Sequence, residues 1–132
     1  MTNDEDRIPK KETTARREYD LEERCSRFGE SIIAFAKKIP VNVVSMPLID
    51  QLVRSGTSIG ANYSEADDAE SKKDFKHKIG LCRKESKECK HWLRMIGASE
   101  ESLRQAARSL WQEAKELNLI FGAIRRRCEN AE

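Results

Sequence analysis

Residues 75–96 carry the most regular pattern in the sequence and read FKHKIGLCRKESKECKHWLRMI. Apolar or small residues recur there at alternating steps of four and three, which places them on one face of a helix and is typical of a coiled-coil seam. These positions are Phe75, Ile79, Cys82, Ser86, Cys89, Leu93 and Ile96. Ser71 and Asp74 resemble a capping box before the seam, and Gly97 offers a stop after it. We therefore predict a helix over about residues 72–97.

Three further stretches show the same periodicity. The first carries its apolar residues from Cys25 to Ile39 and ends before Pro40, and the second begins near Pro47. The last runs from Leu103 to Cys128. We predict helices over about residues 20–39, 47–69 and 100–128. Because the links between them are short, the sequence predicts an all-α fold, an antiparallel up-and-down four-helix bundle over residues 19–129.

The first 18 residues differ in character from the rest of the chain. They hold five acidic and five basic residues and almost no apolar ones. Such a segment buries little surface, so we predict that residues 1–18 form a disordered charged arm.

The second predicted helix contains a run of small and polar residues with poor helix propensity. Each glycine inside a helix costs up to about 1 kcal/mol relative to alanine. A phosphate-binding loop is not supported, because no strand precedes the run and no Gly-Lys-Ser or Gly-Lys-Thr ending follows it. The alternative is a helix whose small residues let a neighbouring helix or subunit approach closely. The residues concerned are Arg54, Ser55, Gly56, Thr57, Ser58, Gly60, Ala61, Asn62 and Tyr63.

Charge is distributed unevenly along the chain, although the formal net charge is only +2. Residues 72–98 hold nine Lys or Arg and three acidic residues. When the apolar register of this helix is shifted by one residue, it gives a row of cations interrupted only by Gly80. We call this row the basic stripe; it consists of Lys73, Lys76, Arg83, Lys87, Lys90 and Arg94.

Two interpretations of the basic stripe remain open. Long cationic side chains can cover the edge of a core and pair with acids on adjacent helices, and residues 20–71 are acidic overall. Alternatively, evenly spaced cations can follow the phosphates of RNA or DNA, helped by Arg125, Arg126 and Arg127 at the end of the last helix. No base-reading motif is visible, so such binding would tolerate many sequences.

Other function classes have little support in the sequence. No run approaches the roughly 18 apolar residues that a membrane span needs, and residues 1–19 are charged rather than an apolar signal segment, so we expect a cytoplasmic protein. No local combination of Ser, His and Asp favours nucleophilic catalysis, and we predict that the protein is not an enzyme and needs no cofactor.

Neither histidines nor cysteines indicate a metal site. The pairs Asp74/His77 and Glu88/His91 have the spacing found in di-iron bundles, but both pairs lie on one helix, and their histidines fall opposite its apolar seam. We therefore predict surface histidines and no metal. Four cysteines occupy apolar positions, which favours reduced buried thiols over a zinc site or redox pair; they are Cys25, Cys82, Cys89 and Cys128.

Three segments resemble a known family. They are residues 19–22 (YDLE), residues 54–63 (RSGTSIGANY), and residues 74–93, which begin Asp-Phe and end His-Trp-Leu. Over about residues 19–128 the chain is similar to the bacterial four-helix-bundle proteins encoded in intervening sequences of 23S ribosomal RNA genes. Relatives of that family include accessory proteins of diversity-generating retroelements.

The resemblance carries its own expectations. It implies a ring-shaped homopentamer of bundles and, for the retroelement relatives, a basic surface that binds nucleic acid and a reverse transcriptase. Residues 54–63 would then form a tightly packed interface, and the basic stripe would contact RNA or DNA. We expect a non-enzymatic oligomeric scaffold that binds nucleic acid. The alternative is a protein–protein interaction module of bundle type with no nucleic-acid role.

Overall fold

The computed structural model describes the backbone of residues 10–131 and the side chains of residues 20–131. Within residues 10–131 there are four α-helices: α1 (Lys10–Ala36), α2 (Ser45–Asp67), α3 (Lys72–Ser99) and α4 (Arg104–Asn130). A single 3₁₀ turn, Glu101–Leu103, precedes α4. There is no strand among the described residues. The predicted all-α four-helix bundle is confirmed.

Consecutive helices run antiparallel and pack side by side. Lys76 near the start of α3 lies beside Glu129 at the end of α4, while Gly97 at the end of α3 meets Ala107 near the start of α4. The apolar faces that the periodicity predicts form one core. The seam of α3 is buried from Ile79 to Ile96, and Phe75 is half-buried at the open end of the bundle.

Two helix starts differ from the prediction by more than two residues. Helix α1 begins at Lys10 rather than near Asp20, so residues 10–18 are helical and their prediction as a disordered arm is wrong. Six of these nine residues are Lys, Arg or Glu, which have high helix propensity even without an apolar face. The rest of the predicted arm, residues 1–9, lies outside the described residues. The α4 start shifts to Arg104 because the 3₁₀ turn takes up residues 101–103.

Small residues bring α1 and α2 into close contact. A Cβ atom built on Gly56 would lie 2.8 Å from Ile32 Cγ1, and one built on Gly60 would lie 3.7 Å from Cys25 Cβ. Gly29 of α1 faces the backbone of Gly56 and Thr57 in the same way. The poor helix formers of α2 therefore serve close packing, and the core burial compensates for their low propensity.

The loop between α1 and α2 is held in one conformation by hydrogen bonds. Asn42 Oδ1 accepts from the backbone N–H groups of Val44 and Ser45, each at 2.9 Å. Ser45, which is buried, donates its hydroxyl to the Pro40 carbonyl at 2.6 Å. Four large apolar side chains nevertheless point to solvent; their exposed fractions are 73% for Val41, 89% for Val43, 62% for Val44 and 58% for Met46. We call these four residues the apolar loop, although Met46 lies in the first turn of α2.

None of the helices within residues 10–131 combines the length and the apolar character required to cross a membrane.

Candidate nucleic-acid interface

The basic stripe of α3 runs along the edge of the bundle that adjoins α4. Helix α3 starts at the Ser71 cap, whose hydroxyl accepts from the Asp74 backbone N–H at 3.0 Å. From there the seven-residue pattern holds the seam in the core and turns the neighbouring row toward α4. Four of the stripe side chains are exposed, and Lys76 and Lys90 are half-buried; the exposed ones are Lys73, Arg83, Lys87 and Arg94.

Polar contacts fix the position of α4 against the stripe. The Asn118 side-chain amide donates to the Arg83 carbonyl at 2.8 Å and to Ser86 Oγ at 3.1 Å. At one end of the pair, Arg104 Nε donates to the Gly97 carbonyl at 3.2 Å. These bonds join α3 and α4 along their length, so the stripe lies next to a defined row of α4 residues.

Two glycines make room for arginines between the helices. A Cβ atom on Gly80 would lie 2.7 Å from Arg125 Nη1, so the Arg125 guanidinium covers the gap in the stripe. A Cβ atom on Gly122 would lie 3.5 Å from Arg126 Nη1 and 3.9 Å from Arg83 Nε. Arginines from both helices therefore meet over a surface that lacks side chains.

Helix α4 contributes a second row of cations, of which the sequence predicted only Arg125. The row consists of Arg104, Arg108, Lys115 and Arg125, with Trp111, Asn118 and Gly122 between them. The signal was present, because shifting the apolar register of α4 by one residue, as for α3, yields this row, which ends in Glu129. We call the basic stripe, this α4 row and Arg126 together the α3–α4 face.

The acidic residues of α3 point away from the α3–α4 face. Arg54 of α2 donates to Glu85 Oε2 at 2.9 Å and to Glu88 Oε2 at 2.6 Å. The hydrogen bond to Glu88 and the charge of Glu85 raise the pKa of Arg54 above its ordinary value. On the same flank, Lys78 donates to Glu65 at 2.8 Å. The carboxylates of this flank are thus paired on the side of α2.

The acidic residues in the middle of α4 are paired on the side of α1. Arg24 binds Glu113 through both carboxylate oxygens, at 2.8 and 2.7 Å, and reaches Glu116 at 3.1 Å. The hydrogen bond to Glu113 raises the pKa of Arg24, which stays charged. Each pair of carboxylates therefore shares one arginine, on a flank opposite the α3–α4 face.

Few carboxylates approach the α3–α4 face itself. Within residues 20–131, Glu129 is the acidic residue that reaches it, 3.9 Å from Lys76 Nζ and 3.9 Å from Arg125 Nε. The other five stripe cations have no described carboxylate within the 4.0 Å limit of an ion pair. Cations of two helices are therefore held side by side with little internal compensation, an arrangement that an external polyanion stabilises.

The remaining predicted residues lie elsewhere. Arg127 lines a cavity of about 1360 Å³ at the end of the bundle, with Leu21, Phe75 and Ile124, and does not join the face. In the run from Arg54 to Tyr63, Ser55, Gly56 and Tyr63 are buried inside the protomer, whereas Arg54 and Ala61 are exposed. The structure therefore assigns part of this run to packing between helices of one chain.

No metal centre or disulfide occurs in the described part of the chain. His, Cys, Asp and Glu side chains do not gather there in groups that could hold an ion, and both histidines are exposed. All four cysteines are free; Cys128 is half-buried and the other three are buried. Burial raises the pKa of Cys25, Cys82 and Cys89 to about 12.

Comparisons with known proteins agree with the fold. The family model described as "23S rRNA-intervening sequence protein" matches residues 17–123. A crystal structure from Bacteroides thetaiotaomicron, described as a protein with unknown function from the S23 ribosomal protein family, is 28% identical with a TM-score of 0.75. The similarity covers 83% of this chain and 97% of that chain. No curated protein sequence gives a match. Neither description names a catalytic activity.

Proposed function

The chain belongs to the 23S rRNA-intervening sequence protein family, as its motifs predicted. From this premise we propose that it is a non-enzymatic, oligomeric scaffold that binds nucleic acid through the α3–α4 face. The family description records where such proteins are encoded rather than what they do. The proposal therefore depends on the residues of this chain.

One observation supports the proposal above all others. The bundle places two rows of cations side by side and pairs the carboxylates of the same helices on the opposite flanks, with Arg54 and Arg24. A merely solvated helix surface has no need of this separation, because mixed charges keep a surface soluble equally well. A phosphate backbone is the ligand that this arrangement suits.

Salt dependence of binding tests the proposal. If the six stripe residues neutralise phosphates of a structured RNA, log K falls against log salt concentration with a slope of about −5. Between about 50 mM and about 200 mM salt, this slope lowers the affinity by about 10³-fold. Filter binding of a structured RNA at the two concentrations measures the effect. Binding that is absent or insensitive to salt would reject the proposal.

A matched pair of triple variants locates the site. Replacing Arg83, Lys87 and Arg94 with glutamine removes three exposed stripe cations. It should reduce the magnitude of the slope by about 3. The control replaces Arg27, Lys37 and Lys38 of α1 and the following turn, which are equally exposed, and removes the same charge. Equal losses in both variants would contradict the assignment to the α3–α4 face.

We propose that copies of the chain associate through the apolar loop. An ordered loop that presents Val41, Val43, Val44 and Met46 to solvent leaves apolar surface that contact with a second copy would bury. The resemblance to the family implies a ring of five. Mass measurement in solution tests this proposal, and a monomer near 15.2 kDa at all concentrations would reject it.

The second candidate function is a protein-interaction module. The apolar loop also favours this candidate, because a different polypeptide could cover it, such as the reverse transcriptase that the resemblance names. This module would bind RNA weakly or not at all and would remain a monomer without its partner. The binding and mass measurements together separate the two candidates.

A further inference from the structure

Trp111 lies at the middle of the α3–α4 face. Its ring is half-buried and packs partly against the core. Lys90 Nζ of α3 and Lys115 Nζ of α4 each lie 5.6 Å from the ring centroid. Trp111 is thus enclosed by cations from both rows, near the outer limit of about 6 Å for a cation–π contact.

The other described aromatic residues do not share this position. Phe28, Phe35, Tyr63 and Phe121 are buried in the core. Phe75 lines the end cavity, and Trp92 lies on the acidic flank of α3 with its ring 4.9 Å from that of His91. Trp111 is therefore the one aromatic ring that the described residues place among the cations of this face.

Cations that follow a backbone, combined with an aromatic ring, form the usual site for an unpaired nucleic-acid strand. Bases of an unpaired strand can stack on aromatic rings, whereas bases inside a duplex are already stacked on each other. A site for duplex alone needs only the cations. The position of Trp111 therefore bears on which form of nucleic acid, single strand or duplex, suits this face.

We propose that Trp111 is a stacking platform for an unpaired base and that the α3–α4 face binds single-stranded nucleic acid in preference to duplex. This inference rests on the proposed function and specifies its ligand. Stacking displaces the Lys90 and Lys115 ammonium groups from the ring, and each then pairs with a phosphate beside the stacked base. Each lysine thus exchanges its contact with the ring for an ion pair with a phosphate.

Fluorescence tests the stacking directly. The chain has two tryptophans, so the Trp92→Phe variant reports on Trp111 alone. The Trp92→Phe substitution should disturb the fold little, because Trp92 Nε1 is buried and has no hydrogen-bond partner among the described residues that the substitution could remove. Titration with oligo(dT) should quench the Trp111 emission, and a duplex of the same length should quench it much less.

Substitution of Trp111 gives a second readout. Trp111→Leu keeps apolar contact with the core and removes the aromatic surface. We expect a loss of oligo(dT) affinity of about 5-fold to about 100-fold, with duplex affinity changed less than about 2-fold. Trp111→Phe should recover part of the loss. Thermal unfolding of each variant checks the fold, and the emission of the Trp92→Phe protein decides the question even if Trp111→Leu unfolds.

The outcomes separate this inference from the proposed function. Quenching together with a preference for the single strand supports both. Binding of oligo(dT) without a change in Trp111 emission overturns the stacking role and leaves the nucleic-acid interface in place. Absence of binding to oligo(dT), duplex and structured RNA overturns both.

Discussion

Gly56 of α2 packs directly against Ile32 of α1. A Cβ atom on Gly56 would lie 2.8 Å from Ile32 Cγ1 and 2.9 Å from Cγ2, closer than unstrained carbon atoms approach. Ile32 is fully buried and branched at Cβ, so it has little freedom to move aside. The contact sets how closely α1 and α2 approach each other.

Gly56→Ala is therefore expected to destabilise the protein. Forcing a methyl group into this contact should lower the free energy of unfolding by about 1–3 kcal/mol, because Ile32 or the α1 backbone must shift. Denaturant unfolding measures the change.

Gly80→Ala is the matched control. The Cβ atom would there meet the end of the flexible Arg125 side chain, at 2.7 Å from Nη1. Arg125 can move, and alanine favours the helix by about 0.5–1 kcal/mol, so stability should stay equal or rise. Equal destabilisation by both substitutions would show that the Ile32 contact is not the cause.

The sequence predicted which residues form the core better than it predicted the partners of the charged side chains. The alternation of steps in α3 depends only on helix geometry, so the buried positions from Ile79 to Ile96 could be assigned from spacing alone. Whether the basic flank of α3 faces α4 or α2 depends on the handedness of the bundle. Periodicity contains no information on handedness, so the pairing of Arg54 with Glu85 could not be predicted.

The sequence predicted the α3 side of the α3–α4 face but most of its α4 side only emerges from the fold. The stripe of α3 was identified because its cations follow the seam without interruption by an acid. Arg104, Arg108 and Lys115 of the α4 row were missed because Trp111, Asn118 and Gly122 separate the cations of that row, and only the fold shows that the two rows adjoin. Arg127 was predicted to join the site because it follows Arg125 and Arg126 in the sequence. One position along a helix turns the side chain by about 100°, and Arg127 lines the end cavity instead.

Loss of the Arg54 guanidinium should destabilise the bundle. Glu85 has a side chain only 11% exposed, and Arg54→Ala would leave its carboxylate without that partner. We expect the free energy of unfolding to fall by about 1–2 kcal/mol, a range that allows for the partial exposure of Arg54. Chemical denaturation at neutral pH measures it.

Arg27→Ala provides the comparison for Arg54→Ala. Arg27 pairs with Glu23 on one helix, and its side chain is 75% exposed. Its removal should cost less than about 0.5 kcal/mol. A cost for Arg54→Ala as small as this would mean that water solvates Glu85 adequately.

Thiol reactivity should differ sharply among the four cysteines. Burial raises the pKa of Cys25, Cys82 and Cys89 to about 12, so at pH 8 only about one molecule in 10⁴ carries the thiolate at each site. The half-buried Cys128 should react first with iodoacetamide. Mass spectrometry of the labelled native protein should show one rapid addition, and the unfolded chain should show four. Rapid labelling of Cys89 in the native protein would contradict the burial.

The same pKa values predict loss of stability at alkaline pH. An unfolded thiol loses its proton near pH 8.5, whereas the three buried thiols retain theirs up to about pH 12. Between these values the unfolded chain binds fewer protons than the native protein, so the free energy of unfolding falls as pH rises. Each thiol contributes up to about 1.4 kcal/mol per pH unit. Cys89→Ala should flatten this dependence, and an unchanged slope would argue against its raised pKa.

The apolar loop offers the sharpest test of assembly. Val43→Asp places a charge on the most exposed of the four side chains, at 89%, without removing the Asn42 or Ser45 hydrogen bonds that hold the loop. Stability of the single chain should change by less than about 0.5 kcal/mol. The solution mass should fall toward 15.2 kDa, because a buried unpaired carboxylate opposes contact between copies.

Leu119→Asp is the control for Val43→Asp. Leu119 is 60% exposed on α4, outside the apolar loop, and its substitution adds the same charge to the surface. An assembly that depends on the apolar loop should survive Leu119→Asp and dissociate with Val43→Asp. If the Val43→Asp protein keeps the mass of the unsubstituted oligomer, the copies associate through another surface. The exposed part of the run from Arg54 to Tyr63 would then be the next surface to substitute, because the resemblance places the interface there.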